Sequence, residues 1–320
     1  MILAGSKLGP CRRLNIVGLL VIALTAGAMA QTPPPQKQRL LMQKLETTIR
    51  AVDAQLDGIL GVAIQDLKTG ETILWNSDEV FPQASSIKIA VLAELYHQAE
   101  QAAAGVRGKA TLSDLYTMRR ADVVPGSDIL SGLTPGVTVM TNRDLATMMV
   151  AVSDNSATNV LIDRLKMENV NAFLESLGLH ATRLKRKMMD LDAATQGREN
   201  VATPREMMTL LQKIHSGKVF GKEATADFLK VLSTHKESAM LRGIPDDAVA
   251  ANKPGALEAV RTDSGIVFVK DRPFVLCVMT TYLKSERDGE AAISRISAEA
   301  WATFDRLGRA SEYGRVVSPK

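Results

Sequence analysis

Apolar and polar positions alternate with two different periods along this chain of 320 residues. A helical period runs from Leu40 to Leu56, with Leu41, Leu45, Ile49, Val52 and Leu56 on one side. A hairpin pattern follows over Gly61–Asn76: Val62, Ile64 and Leu67 precede the turn Lys68-Thr69-Gly70, and Ile73, Leu74 and Trp75 follow it. Pro82 closes that segment, and the run from Ser85 predicts a helix with Ile89, Leu92, Ala93 and Tyr96 on one face. Gly105–Gly136 is polar and rich in Gly and Pro, which predicts loops and short helices. Further helices are predicted over Thr141–Val152 (capped by Thr141 or Asn142), Ala157–Lys166, Asn169–Leu177 with a stop at Gly178, Arg205–Ile214 behind Pro204, and Lys222–Leu232. Between them, Arg183–Thr203 has neither period and predicts about twenty residues of loop. The methionine pairs at 148–149, 188–189 and 207–208 read as core filling.

The C-terminal third changes character. Leu257–Lys270 and Arg272–Tyr282 read as strands, with a further short one at Ala250–Lys253. Val275, Cys277 and Met279 alternate with Leu276 and Val278, so both faces of that strand are apolar and it is expected to be buried. Glu286–Leu307 closes the chain as an amphipathic helix carrying Ile293, Ile296, Trp301 and Phe304. The predicted class is α+β. The early hairpin and late strands form one antiparallel sheet flanked by the terminal helices, and a helical lobe of about residues 85–235 is inserted between the sheet segments.

Composition changes this picture mainly at the N-terminus. Lys7, Arg12 and Arg13 precede an apolar run, Leu14–Ala26, and the small-x-small site Ala28-Met29-Ala30. Residues 1–30 therefore read as a secretory signal peptide, too short and poorly flanked to span a membrane stably. The Pro-rich stretch 31–38 reads as a tether and 39–320 as a single catalytic domain, periplasmic or secreted and expected to be monomeric. Removing the leader takes three basic residues and no acid, so the net charge of +4 less these three leaves +1, and no Lys/Arg stripe with aromatics argues for nucleic acid. Cys277 is left without a partner for an internal disulfide. The four histidines (His97, His180, His215, His235) are scattered, so neither a metal nor another cofactor is expected.

The candidate chemistry begins at Ser85-x-x-Lys88. At helical spacing the hydroxyl and the amine are neighbours, and a desolvated amine beside a serine is one way to build a nucleophile. A second such pair, Ser233-Thr234-His235-Lys236, lies at a helix end and reads as helix termination. Ser153-Asp154-Asn155 interrupts two helices, and Lys253-Pro254-Gly255 enters a late strand. Lys68-Thr69-Gly70 matches a strand-entry motif better than Lys253-Pro254-Gly255, but a hairpin turn explains it.

This ordered set resembles the signature of class A β-lactamases and penicillin-binding proteins. The resemblance covers nearly all of the chain after the leader and includes Phe81-Pro82, Ser153-Asp154-Asn155-Ser156-Ala157-Thr158-Asn159, and Leu177-Gly178-Leu179 leading into Thr182-Arg183-Leu184. It implies a β-lactamase/transpeptidase-like fold. It implies Ser85 as nucleophile, Lys88 as its base or electrostatic partner, and Ser153 as proton relay to the departing lactam nitrogen. Asn155, Lys253, Gly255 and Ala256 are the implied substrate-binding positions, with the backbone N–H groups of Ser85 and Ala256 as oxyanion hole.

The chain departs from the family where the acyl-enzyme is released. Met188 stands at the position of the family's water-activating glutamate, Asn200 replaces the acid that pairs with the loop arginine, and Pro254 replaces a hydroxyl residue. The arginine expected on the following strand falls near Ser264, with Arg261 the closest substitute. One expectation is that Asp190 or Asp192 supplies the missing carboxylate; the other is that both cap or pair within the loop, with Arg186 or Lys187 as partners. The expected function is a secreted serine hydrolase that opens β-lactam rings through a Ser85 acyl-enzyme. The alternative is a penicillin-binding, peptidase-like or esterase-like hydrolase with poor lactam turnover. A non-catalytic binding domain would have no need for Ser85, Lys88, Ser153 and Lys253 together.

Overall fold

A computed structural model describes residues 36–311 and 313–316. The expected signal peptide, 1–30, and the tether up to residue 35 lie outside the described residues. The elements run in the order α1 (Gln36–Asp53), β1 (Ile59–Asp66), β2 (Thr72–Trp75), β3 (Phe81–Pro82), a 3-10 turn at Ala84–Ile87, and α2 (Lys88–Ala103). There follow β4 (Leu115–Thr117), β5 (Val139–Thr141), α3 (Asn142–Ala151), α4 (Asn155–Leu165), α5 (Met167–Ser176), α6 (Leu191–Thr195) and β6 (Val201–Ala202). The chain continues through α7 (Pro204–His215), α8 (Lys222–Leu232), α9 (Ala239–Arg242), β7 (Val249–Leu257), β8 (Val260–Phe268), β9 (Phe274–Thr281) and α10 (Glu286–Arg309).

The main sheet has five strands in the order β2-β1-β9-β8-β7, every pair antiparallel. The N-terminal hairpin and the C-terminal strands thus join edge to edge, β3 to α8 fill the interval as the inserted lobe, and α9 packs on α10 in the other layer. Strand alternation decides which core each side chain enters. Val62, Ile64, Phe274, Leu276 and Val278 point to a cluster with Leu45 and Ile49 of α1 and Ile296 and Phe304 of α10. The Phe274 and Phe304 rings stack there at 4.3 Å. Ala63, Val275, Cys277 and Met279 point the other way, into the lobe core with Ile89, Leu92 and Tyr96 of α2. β9 lies in the middle of the sheet with a layer on each face, which is why both of its faces are apolar.

Four sequence expectations change. α1 begins at Gln36, so residues 36–38 of the expected tether belong to a helix. The short strand at Ala250–Lys253 extends through Lys253-Pro254-Gly255 to Leu257, and a turn separates it from β8. β7 is a sheet edge, where a proline's missing donor is tolerated. The loop 183–203 contains one-turn α6 and two-residue β6, and β4, β5 and α9 were likewise missed; all are too short to show a period. Of the methionines at 188–189, Met188 is buried as expected, but Met189 is 39% exposed with φ +63°.

Candidate active site

The nucleophile candidate sits on the 3-10 turn, not at the head of a longer helix as the sequence suggests. α2 starts three residues later, with Lys88 as its first residue. Residues three apart eclipse one another on a 3-10 turn, so the Ser-x-x-Lys spacing still brings the pair together. Ala84, just before Ser85, is in the left-handed region at φ +47°, a conformation that costs an alanine about 1 kcal/mol. The next residue anchors the turn. Buried Ser86 joins Oγ to the Lys253 carbonyl and to Thr262 Oγ1, both at 2.8 Å. Thr262 Oγ1 in turn donates to the Gln83 carbonyl at 3.2 Å. These bonds dock β7 and β8 on the turn so closely that a Cβ at Gly255 would lie 2.5 Å from the Gln83 carbonyl oxygen.

Lys88 is fully buried. Its Nζ donates to the Ser153 carbonyl at 2.6 Å, to Ser153 Oγ at 2.9 Å and to Asn155 Oδ1 at 2.9 Å. Burial, reinforced by the charge of Lys253 and opposed by Asp154, holds its pKa well below the usual lysine range. Among the described residues, Ser85 Oγ accepts no hydrogen bond from it. Ser153 is held at φ +56°, a left-handed backbone that presents both its carbonyl and its hydroxyl to one amine. Asp154 makes that kink possible by capping α4 with a bond from the Ala157 N–H at 2.8 Å, while its other oxygen takes the Leu130 N–H at 3.1 Å. Asn155 completes the bracket by donating Nδ2 to the Pro125 carbonyl at 3.0 Å.

A second lysine reaches the same hydroxyl. Lys253 on β7 is 1% exposed, and its Nζ donates to Ser153 Oγ at 3.1 Å and to the Pro254 carbonyl at 3.0 Å. Burial lowers its pKa to about 7, with Asp263 acting to raise it and Lys236 to lower it further. Two buried amines therefore flank one serine oxygen. Burial makes both amines easier to deprotonate than an exposed lysine, and brings Lys253 to about 7.

Ser85, Ser153, Asn155, Lys253, Gly255 and Ala256 all line one cavity of about 440 Å³, a size suited to a small molecule. Lys88 lies behind it. The structure also brings to this cavity residues that sequence reasoning missed: Arg242, Asp128, Glu237 and Glu290. Arg242 lies on the one-turn helix α9 and Glu290 on the polar side of α10, so neither carried a motif. Arg261 does reach the cavity, but it is held by Glu286 at 2.9 Å and Glu290 at 3.0 Å.

The loop after α5 resolves the remaining positions. Met188 is fixed by Asn159 of α4, which accepts the Met188 N–H at 2.8 Å and donates to its carbonyl at 3.0 Å. Asn155 and Asn159 are four apart on one helix face, so Met188 stands one turn from the anchor of Lys88. Its side chain packs into the lobe core. Neither Asp190 nor Asp192 lines the cavity. Asp190 caps α6 through the Ala193 N–H at 3.0 Å, and both are exposed. They do not pair with the loop cations: Arg186 binds Glu199 at 3.0 Å and Lys187 binds Asp163 at 2.5 Å. Asn200 clamps backbone instead, accepting the Lys185 N–H at 2.7 Å and the Arg186 N–H at 3.1 Å and donating to the Arg186 carbonyl at 3.1 Å.

The two look-alike motifs lie elsewhere. Lys68-Thr69-Gly70 turns the β1–β2 hairpin, with Asp66 Oδ1 accepting the Lys68 N–H at 2.8 Å and Gly70 at φ +77°. Lys236 Nζ donates to the Leu232 carbonyl at 2.9 Å, closing the C-terminus of α8. Among the described residues no group of three or more His, Cys, Asp or Glu side chains is arranged to hold a metal ion.

Comparison with known proteins agrees with this geometry. The sequence profile described as the beta-lactamase enzyme family matches residues 44–304. Beta-lactamase SME-1 of Serratia marcescens is 28% identical over 80% of this chain and 88% of its own length. Among solved structures, a beta-lactamase from Sphaerobacter thermophilus is 30% identical with a TM-score of 0.72, covering 82% of this chain and 97% of that one. A PBP-A variant, described as an acyl-enzyme complex with penicillin-G, shares the fold at 24% identity and a TM-score of 0.73, covering 86% of this chain and all of its own. The profile spans most of the chain and the overall fold is that of these relatives: the chain belongs to the beta-lactamase enzyme family of serine hydrolases.

Proposed function

We propose that this protein opens β-lactam rings by forming an ester with Ser85 and releases that ester slowly. The observation that carries the reading is the convergence of Lys88 and Lys253 on Ser153 Oγ, at 2.9 and 3.1 Å, beside Ser85 in one cavity. A lactam carbonyl over Ser85 draws its Oγ toward Lys88, which in its neutral form takes the proton as the C–O bond forms. Catalytic hydrogen bonds commonly tighten only at this stage. The oxyanion is received by the Ser85 and Ala256 backbone N–H groups. As the C–N bond breaks, the Ser153 hydroxyl gives its proton to the lactam nitrogen and regains one from the lysine ammonium beside it. The carboxylate of the substrate lies toward Lys253, with Arg242 and Arg261 at the same end of the cavity.

Release needs a water molecule and a base. Met188 offers no basic atom, and Asp190 and Asp192 lie off the cavity. This favours a second reading on the same chemistry: a penicillin-binding acyl-enzyme hydrolase, acting on lactams or on cell-wall-like peptides, whose lactam turnover is poor. In either reading the protein works alone, as a monomer without a cofactor, outside the cytoplasmic membrane after leader removal. No helix among the described residues is long and apolar enough to cross a membrane. Steady-state hydrolysis of a reporter cephalosporin tests the primary reading. Weak hydrolysis abolished by Ser85→Ala is expected; hydrolysis that persists in Ser85→Ala removes Ser85 from the mechanism.

A further inference from the structure

The arginine end of the cavity carries an acid, Glu290, that the mechanism above does not use. α9 presses so closely on α10 that a Cβ at Gly243 would lie 2.3 Å from the Ser294 carbonyl oxygen. Ser294 Oγ donates to the Ala239 carbonyl at 2.7 Å, and Ser297 Oγ donates to the Met240 carbonyl at 2.9 Å. This docking sets Arg242, at the end of α9, beside Glu290 in the second turn of α10. Glu290 bridges two arginines. Its Oε2 accepts from Arg242 Nη2 at 2.8 Å and its Oε1 from Arg261 Nε at 3.0 Å. All three residues line the cavity together with Lys253 and Pro254. The rest of the Arg261 guanidinium is held by the protein: Nη2 donates to Glu286 at 2.9 Å, and Nη1 to the Leu257 and Val260 carbonyls at 2.9 and 2.8 Å. Arg242 is exposed, and among the described residues its guanidinium is bonded by Glu290 alone.

Two guanidinium groups thus meet two carboxylates, Glu286 and Glu290, and their charges cancel. A neutralised arginine pair attracts an anion far less than a free pair does, and selectivity is the difference between two such affinities. We propose that Glu290 is a specificity-determining residue: by holding Arg242 it withholds that guanidinium from a substrate carboxylate, and so lowers the preference of the cavity for substrates with a free carboxylate over those in which the same group is esterified. Arg242 is the group released when Glu290 loses its charge, because Arg261 keeps Glu286 and two carbonyls. This selectivity rests on the acyl-enzyme reading, which places the substrate carboxylate at this end of the cavity.

The test measures ester formation by intact mass with benzylpenicillin and with its methyl ester, and takes the ratio of the two rates. The proteins are the wild type, Glu290→Gln and the double variant Glu290→Gln/Arg242→Gln. Loss of one negative charge beside an exposed guanidinium is expected to raise the acid-to-ester ratio about 10-fold in Glu290→Gln. Glu290→Ala, which removes the same charge, should repeat the rise. The double variant should stay within about 3-fold of the wild type, because the gain needs Arg242. An unchanged ratio in the folded Glu290 variants, or a gain that persists in the double variant, overturns the proposal. A wild type that forms no ester with either compound refutes the proposed function instead. The ratio is then read from dissociation constants, by NMR titration of backbone amide signals in Ser85→Ala and Ser85→Ala/Glu290→Gln. A rise of about 10-fold there leaves the selectivity of Glu290 standing; equal ratios, or no binding of either compound, overturn it.

Discussion

Asn159 holds Met188 at both ends of its backbone, accepting its N–H at 2.8 Å and donating to its carbonyl at 3.0 Å. The helix that holds Lys88 through Asn155 thereby also fixes the loop residue at which the proposed function lacks a water-activating base. The position is built and its basic group is missing. Met188→Glu is expected to raise the steady-state turnover of a reporter cephalosporin at least about 100-fold, the lower range for a placed general base. A kcat within a few-fold of wild type in a folded variant shows that something other than this side chain limits release. Because Met188 is packed in the lobe core, the same variant should melt at a lower temperature than wild type.

The acids farther along the loop are expected to be bystanders. Asp192→Asn and Asp190→Asn should leave the release rate of a penicillin adduct unchanged. Asp190→Ala should cost about 1 kcal/mol of stability through its lost cap on α6, measured by chemical denaturation. A release rate that falls tenfold in Asp192→Asn would return that carboxylate to the mechanism.

Gly255 lets β7 lie against the nucleophile turn. In Gly255→Ala the new methyl would come within 2.5 Å of the Gln83 carbonyl and 2.6 Å of Thr262 Oγ1, so strand and turn must separate. The expected cost is about 1–3 kcal/mol in stability. The expected loss of acylation rate is about 100-fold, because Ala256 moves away from Ser85. An acylation rate equal to wild type would mean that the strand edge does not contribute to the oxyanion site.

Glu94 gives a pH-dependent term in stability. It is buried on α2, with one oxygen bonded by Gln98 at 2.6 Å and the other without a partner among the described residues. Burial raises its pKa from 4.5 to about 7. The folded state therefore binds this proton more tightly than the unfolded chain does. Its contribution is present below pH 4.5, is lost as pH rises through about 7, and is then constant. Glu94→Gln should consequently be more stable than wild type at pH 8, by on the order of 2 kcal/mol, with the gap closing toward pH 4.5. Thermal melts at both pH values measure it; an equal gap at each contradicts a protonation origin.

Long elements were legible because burial imposes their period. The two-sided apolar run of β9 and the stripes of α1 and α10 follow directly from their layers. Ser85 and Ser153 were legible because each sits at a junction between elements, where local chemistry breaks the period; Lys253 lies in the middle of β7 and was legible only through its motif. What the pattern concealed was short or distant in sequence. The 3-10 turn under Ser85 depends on Ser86 meeting Thr262, and α9, which brings Arg242 to the cavity, is a single turn. Lys236 looked like a helix end, which it is; only the folded chain shows that it is also buried.

Time-resolved intact mass after addition of a penicillin tests the account most directly, because it follows formation and loss of the ester separately. The account predicts a single adduct of the penicillin's full mass that forms on the wild type, persists long after free drug is removed, and is absent from Ser85→Ala. Absence of any adduct together with no hydrolysis, an adduct that survives Ser85→Ala, or an adduct cleared within seconds despite Met188 would contradict it.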